Sequence, residues 1–192
     1  MLLKMVSRAM KIGLAISAAS FSVLAYGQVA PSSFQRSQSI RLGVEYSNME
    51  AGFPAGSNLR LSGIGAFGTF NWNHQIGLEG AVRFLHFNSY YGETEDSFLA
   101  GPRYTFLHSD KWKPFGAFEL GVVKMTYPFS LGSCGCFAIA PTGGLDYRLD
   151  RKWSLRAEYQ YQILPGSPNF TNEAKFDIKP NGFQMGVSYR VF

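Results

Sequence analysis

Apolar and polar residues alternate along most of the chain after residue 37. From Ile40 to Ser47, and again from Ser154 to Ile163, apolar side chains occupy every second position. A period of two places the two kinds of side chain on opposite faces of a β-strand, whereas a helix would scatter them around its axis. The same alternation predicts six further strands, at 59–71, 75–87, 97–108, 113–124, 137–149 and 176–191. We therefore predict eight strands and an all-β fold.

The predicted connections alternate in length. Those at 71–74, 109–112 and 150–153 are short, and those at 48–57, 88–96, 125–136 and 164–175 are longer. Short periplasmic turns and longer outer loops are typical of antiparallel up-and-down barrels in the bacterial outer membrane. The pattern thus favours an eight-stranded transmembrane β-barrel.

The three tryptophans of the chain are Trp72, Trp112 and Trp153, and each lies in or beside one of the short connections. An amphipathic indole ring is favoured at the boundary between lipid and water. We therefore predict an aromatic belt at the periplasmic side of the membrane.

The first residues have the order of a secretory signal peptide. Lys4, Arg8 and Lys11 precede an apolar run at 12–24, and the small residues Ala25 and Gly27 follow. The run is about 13 residues long, and a spanning helix needs about 20. We predict a signal peptide at 1–27 with cleavage near Gly27, a short N-terminal segment at 28–37 and a barrel domain at 38–192. No later apolar run is long enough for a spanning helix.

Composition agrees with this interpretation. Charged residues make up 16% of the chain, aromatic residues another 16%, and there are 21 glycines, which favours β structure over helix. The formal net charge is +5, but three of the basic residues lie in the predicted signal peptide. The rest of the chain is nearly balanced, so we expect no nucleic-acid partner.

Alternation alone does not say which face lies inside. With the polar face inward, the lumen receives six basic and five acidic residues: Arg41, Glu45, Glu79, Arg83, Arg103, Glu119, Asp146, Arg148, Arg156, Glu158 and Arg190. Side chains just fill the interior of eight strands, and buried charges must be paired. We expect a salt-bridge network that plugs the lumen. The alternatives are a narrow pore lined by these charges, and a soluble barrel with its apolar face around a ligand.

Four segments carry a family resemblance: 99–106 (LAGPRYTF), 113–118 (KPFGAF), 143–149 (GGLDYRL) and 186–192 (GVSYRVF). Together they resemble the outer-membrane β-barrel domain family of small porin-like and outer-membrane-protein-A-like barrels, over about 38–192. The resemblance implies localisation in the cell outer membrane, contact with its lipid, and recognition of the C-terminal strand by the barrel-assembly machinery. Phe192 is one residue out of step with the terminal aromatic pattern of that family.

Candidate chemistry is sparse. Among His74, His86 and His108, only His86 has Ser89 and Glu93 close by at an outer strand end, and we interpret it as an interfacial residue. We therefore propose no catalytic residue, no cofactor and no metal. Cys134 and Cys136 form a candidate disulfide in the 125–136 loop, because an exported chain meets an oxidising compartment. Two cysteines without a nearby histidine make a poor zinc site.

From the sequence we expect a monomeric, non-enzymatic barrel with a structural, adhesive or surface-interaction role. The surface ligand is not readable from the residues. A narrow ion or solute channel is the first alternative, followed by a lipid-A-modifying enzyme and a soluble ligand-binding barrel.

Overall fold

The described part of the chain is built of β-strands. The structure is a computed structural model and describes residues 38–52, 59–89, 92–106, 109, 111–127, 132–167 and 176–191. The predicted segments 1–27 and 28–37, as well as His108 and Phe192, lie outside the described residues. The strands are β1 (Ser39–Glu50), β2 (Arg60–Asn71), β3 (Ile76–Phe87), β4 (Thr94–Thr105), β5 (Trp112–Thr126), β6 (Ser133–Arg148), β7 (Trp153–Tyr161), β8 (Leu164–Ser167), β9 (Phe176–Ile178) and β10 (Asn181–Arg190).

Eight of these strands close into a barrel. Strands β1 to β7 follow one another in chain order, and β10 pairs with both β7 and β1. Every pair is antiparallel, and the closing pair sets Leu42 opposite Tyr189 and Val44 opposite Val187. Closure leaves no sheet edge with unpaired backbone groups, which membrane hydrocarbon does not tolerate. The predicted eight-stranded antiparallel up-and-down barrel is confirmed.

The outside of the barrel is apolar. Val44 is 60% exposed, Phe118 is 49% exposed and Met185 is 66% exposed, while the charged positions between such residues point inward and are buried. The barrel strands run from 9 residues in β7 to 16 in β6. About 9–11 residues suffice for a tilted strand to cross a membrane. This polarity is the reverse of a soluble barrel that holds an apolar ligand.

Within the described ranges, no helix is long and apolar enough to cross a membrane.

The strand predicted at 176–191 is two strands. Strand β9 leaves the barrel and pairs with β8 in a separate two-stranded sheet, so the loop predicted at 164–175 begins with β8. The break falls at Lys179 and Pro180, because proline has no backbone N–H to donate to a sheet. The carbonyl of Pro180 instead accepts a hydrogen bond from the backbone N–H of Gln162 at 2.7 Å.

Strands β5 and β6 extend beyond their predicted ends. The pairing continues to Thr126 and Ser133, and it sets Cys134 opposite Met125 and Cys136 opposite Val123. The prediction that the cysteines lie in a loop is therefore wrong, because both lie in β6 with their side chains buried. The alternation is hidden here because the outward positions Ser133 and Gly135 are not apolar.

Strand β2, in which Gly63, Gly65 and Gly68 interrupt the alternation, contains a register shift between Ser62 and Ile64. A Cβ atom at Gly63 would lie 1.9 Å from the carbonyl oxygen of Phe84 on β3. The close approach of the two backbones thus requires glycine at this position, and a bulge of this kind accounts for the interrupted alternation.

Candidate functional site

The barrel lumen is the candidate functional site, and an ionic network fills its middle. The Arg83 guanidinium on β3 donates from Nε to Glu45 Oε1 on β1 at 2.5 Å. It also donates from Nη2 to Glu158 Oε1 at 3.1 Å and from Nη1 to Gln160 Oε1 at 3.1 Å, both on β7. One side chain therefore connects three strands across the interior.

A second node lies nearer the short turns. Arg103 on β4 pairs with Glu79 on β3 and donates from Nη2 to Asp146 Oδ2 at 2.6 Å. Arg156 on β7 donates from Nε to Asp146 Oδ1 at 2.9 Å, and its Nη1 lies 2.9 Å from Glu79 Oε2. Two arginines and two carboxylates thus form a closed arrangement of four ion pairs, three of which are also charge-assisted hydrogen bonds, the stronger class.

Aromatic rings complete this second node. The guanidinium carbon of Arg103 lies 3.5 Å from the ring centroid of Phe115, and that of Arg156 lies 3.9 Å from the centroid of Phe67. Both rings are buried in the lumen. Each arginine therefore contacts an aromatic face as well as carboxylates, and cation–π contact adds to the ion pairs.

Nine of the eleven residues assigned to the lumen charge network are buried there: Arg41, Glu45, Glu79, Arg83, Arg103, Glu119, Asp146, Arg156 and Glu158. Arg148 and Arg190 are half-buried at the end of the lumen that carries the short turns. The network also includes uncharged residues that charge patterning did not identify. Gln160 Nε2 donates to Glu119 Oε2 at 2.6 Å, and Thr69 Oγ1 donates to Glu79 Oε2 at 3.0 Å.

The half of the lumen nearer the long loops holds an apolar cluster beside buried polar side chains such as Gln162 and Gln184, and the sequence analysis did not anticipate this cluster. We call its cluster of buried residues the outer plug: Met49, Ala51, Leu61, Leu85, Leu99, Val123, Met125, Tyr127, Cys134, Cys136, Ala138, Ala140, Leu164 and Ile178. Strands β8 and β9 contribute Leu164 and Ile178, so the small sheet packs over this end. The sequence did contain a sign of this apolar cluster. Leu85 lies two positions after Arg83 in β3, so its side chain points into the lumen as well.

Glu95 on β4 lies where the network meets the outer plug. Its strand neighbours are Leu85 on β3 and Met125 on β5. The side chain is 0% exposed, Gln162 lies beside it, and within the described residues no well-formed hydrogen bond reaches either carboxylate oxygen. Those residues also give it no salt bridge of the kind that holds Glu45 and Glu79.

Aromatic side chains surround the short-turn end of the barrel on its outer face. Trp72, Trp112 and Trp153 are 48%, 53% and 48% exposed. Trp112 stacks on Tyr147 with centroids 4.4 Å apart, and Trp153 packs on Tyr189 at 5.1 Å. The three tryptophans predicted as a belt therefore lie at one end of the barrel with their rings outward.

Histidine does not form a catalytic constellation in the described residues. His86 Nε2 lies 2.6 Å from Asp96 Oδ1 on the outer face, a partner that the sequence analysis did not identify. Glu93, which was considered as its neighbour, is fully buried. The described side chains thus give His86 a carboxylate partner and no serine, and none of their His, Cys, Asp and Glu groups has a metal-binding arrangement.

Cys134 and Cys136 are joined in a disulfide, with Cα atoms 5.7 Å apart. The two cysteines are two positions apart along β6, with Gly135 between them, so both side chains point to the same face of the strand. The bond lies within the outer plug and contributes to its packing.

Solved structures of other small barrels resemble this fold. Neisserial surface protein A matches with a TM-score of 0.54 at 12% identity, over 80% of this chain and 96% of that one. The attachment invasion locus protein of Yersinia pestis matches with a TM-score of 0.51 at 19% identity, over 80% and 97%. The N-terminal β-barrel domain of OprF from Pseudomonas aeruginosa matches with a TM-score of 0.52 at 14% identity, over 78% and 96%. At identities this low, the structural similarity establishes a shared fold and nothing further.

No curated protein matches the chain in sequence. The sequence model of the outer membrane protein β-barrel domain family matches residues 13–190, which is most of the chain. The chain therefore belongs to the outer membrane protein β-barrel domain family and is a protein of the bacterial outer membrane.

Proposed function

We propose that this protein is a closed barrel that holds its long loops at the cell surface, with a structural or surface-contact role rather than a transport role. The observation that carries the proposal is the double closure of the lumen. The ionic network occupies its middle, and the outer plug occupies the half nearer the long loops.

Each layer opposes the passage of ions by a different mechanism. In the network, an ion would have to displace charge-assisted contacts such as those of Arg83 with Glu45 and Glu158. In the outer plug, it would have to lose its water among side chains such as Leu61, Leu85 and Val123, all 0% exposed. Apolar constrictions close pores because water leaves them. A narrow channel would need both layers to rearrange.

The long connections support surface contact. They contain aromatic residues where loops in water are usually polar, at Phe53, Tyr90, Tyr91, Phe129 and Phe170. A protein that shares this fold is the attachment invasion locus protein of Yersinia pestis. We infer that these loops, rather than the lumen, are the parts through which the protein acts.

The same proposal includes the partners and the absence of enzymatic activity. The outward apolar strands suit outer-membrane lipid, and the closed barrel sheet offers no edge to which a second copy could add a strand. The proposal therefore includes a monomeric state. Recognition of the C-terminal strand by the barrel-assembly machinery remains part of the proposal. His86 has no described hydroxyl partner for acyl transfer, which favours a non-enzymatic role.

A complementation experiment tests the role. Cells lacking the gene receive either the full chain or a variant in which 128–131 and 168–175 are replaced by short Gly-Ser linkers. We expect the variant to restore resistance to detergent and to large antibiotics but not attachment to surfaces. Restoration of both properties by the variant would confine the role to membrane integrity. Uptake of small solutes that depends on either chain would contradict the proposal.

A further inference from the structure

A shallow apolar groove runs obliquely across the outside of the barrel, between two rows of outward side chains. Within each row, every residue is the cross-strand partner of the next. The row nearer the short turns is Trp112, Tyr147, Leu155, Val187 and Val44. The row nearer the long loops is Leu145, Ala157, Met185, Tyr46 and Ile64. We call the space between these two rows the oblique groove.

The oblique groove is an open cavity along its length. One part has a volume of about 600 Å³ and extends between the two rows from Leu155 to Ile64. The other part has a volume of about 250 Å³ and extends from Leu155 and Met185 to Trp112. Both parts share Leu155, Met185 and Gly186, so they form one continuous groove. Binding sites for small ligands have similar volumes, about 300–1,000 Å³.

The oblique groove climbs from the short-turn end of the barrel toward its middle. Trp112 is the first residue of β5, whereas Ile64 lies seven positions before Asn71, the short-turn end of β2. The groove crosses six neighbouring strands, which lie about 4.8 Å apart, so it is about 24 Å long. The strands of such barrels are tilted by about 35–45°, so a line across them rises by about 15 Å. That rise is half of the hydrocarbon core of a bilayer, which is about 30 Å thick.

The dimensions of the oblique groove suit a single acyl chain. Outward residues two positions apart on a strand, such as Leu155 and Ala157, are separated by about 6.6 Å. A methylene chain that lies between the rows therefore contacts both walls at the ordinary carbon–carbon distance of about 3.5–4.0 Å. A second barrel would need a broader surface, because stable protein interfaces bury more than about 1,000 Å² in total. The width and the rise together match one acyl chain of one leaflet.

Basic and aromatic side chains border the short-turn end of the groove. Trp112 stacks there on Tyr147. The exposed Lys111 directly precedes Trp112, and the exposed Lys152 lies on the short turn after β6 together with Asp150. Indole rings and ammonium groups at a membrane boundary suit the glycerol and phosphate of a phospholipid. The end of the groove thus has the chemistry of a headgroup site.

We propose that the oblique groove binds one phospholipid of the periplasmic leaflet, with an acyl chain along the groove and the phosphate beside Lys111 and Trp112. By the orientation rule for outer-membrane barrels, the short turns face the periplasm. A chain in the groove contacts side chains on two sides, whereas a chain on a smooth wall contacts them on one, so this lipid leaves the barrel more slowly than its neighbours. The site is on the outer face and does not depend on the closed lumen proposed above.

The test is native mass spectrometry of the folded protein after its transfer from bilayer discs of phosphatidylethanolamine and phosphatidylglycerol into a maltoside detergent. We expect one retained phospholipid per barrel. Ala157→Phe should lower the retained fraction at least about tenfold, because its ring fills the groove and displaces several methylene groups of the chain. The matched control is Ala100→Phe, the same change at an exposed outward alanine of β4 that does not line the groove. This control should retain the lipid as the parent does.

The heat-dependent shift in gel mobility shows whether each variant is folded. If Ala157→Phe does not fold, Ala157→Leu replaces it with a smaller side chain. The absence of a retained phospholipid on the parent, or equal retention by Ala157→Phe and Ala100→Phe, would overturn the proposal. A dimer of the parent that Ala157→Phe separates would do so as well, since a second copy would then occupy the groove.

Photochemical cross-linking locates the lipid independently. A phosphatidylethanolamine with a diazirine near the end of one acyl chain is included in the discs and activated by light, and peptide mass spectrometry identifies the labelled residues. We expect labelling at Tyr46 and Ile64, where the groove ends near mid-barrel. Phe98 is an exposed outward residue outside the groove, seven positions before the short-turn end of β4 at Thr105, and it should be labelled much less. Equal labelling of Ile64 and Phe98 would overturn the proposal.

Discussion

Arg83 on β3 donates a hydrogen bond to Glu158 on β7 at 3.1 Å, and the two strands are not neighbours in the barrel. The backbone pairing closes the wall, but this contact spans the space within it. Closure of the lumen is therefore a property of side chains, and substitutions that leave every strand intact can change it.

Arg83→Gln should lower the free energy of unfolding by about 3–5 kcal/mol, because it leaves Glu45 and Glu158 as buried charges without their partner. Urea titration of the protein in phospholipid vesicles measures the change. Arg60→Gln, at an exposed arginine, should differ from the parent by less than about 0.5 kcal/mol. Similar stabilities for the two variants would mean that the inner ion pairs contribute little.

Two buried glutamates should respond in opposite directions to the same substitution. Glu95→Met replaces a fully buried carboxylate that has no salt bridge among the described residues by an apolar side chain beside the outer plug, and should raise the free energy of unfolding by about 1 kcal/mol or more. Glu79→Met removes the partner of Arg103 and Arg156, and should lower it by about 3–5 kcal/mol. Urea titration of both variants measures the two changes in the free energy of unfolding. A loss of stability in Glu95→Met would show that the Glu95 carboxylate has a stabilising partner.

Leucines on the two faces of β3 provide a matched pair. Leu85 is 0% exposed in the outer plug, and Leu85→Ala should cost about 2–5 kcal/mol because it leaves a cavity. Leu78 is 44% exposed on the outer face, where lipid chains fill the vacated space, so Leu78→Ala should cost clearly less. Equal costs in vesicle unfolding would contradict dense packing of the plug.

The tryptophan belt predicts a depth for fluorescence quenching. Trp72, Trp112 and Trp153 should be quenched more by lipids brominated near the headgroup than by lipids brominated near the chain end. A control variant has the three tryptophans replaced by phenylalanine and carries Phe118→Trp. Phe118 lies midway along β5 on the outer face, so this variant should show the reverse preference. The same depth in both proteins would contradict the belt.

The local pattern of apolar and polar residues was sufficient to predict the strands that form the wall of the barrel. The alternation from Ile40 to Ser47, the unequal connections and the three tryptophans predicted eight strands and which face is outward. Inward charges such as Arg103 and Asp146 followed from the same parity. These features are local because the membrane imposes an apolar residue at every second position along each strand.

The same local pattern was not sufficient to predict which inward side chains form the ionic network and which form the outer plug. Arg83 and Leu85 share a face of β3, yet one lies in the ionic network and the other in the outer plug. What decides between them is the small sheet of β8 and β9, which packs Leu164 and Ile178 onto the same end. That packing depends on residues far apart in the chain. Cys134 and Cys136 were misplaced for a related reason, because β6 continues beyond the part where its outward residues are apolar.

Recording of ion conductance through single barrels in a planar bilayer tests the closed lumen most directly. We predict no stable unitary current for the parent chain in symmetrical potassium chloride. Any current noise should be unchanged in Arg103→Gln and Glu119→Gln variants that remain folded. A steady unitary conductance whose ion selectivity changes with those two substitutions would contradict the account and identify the protein as a narrow channel.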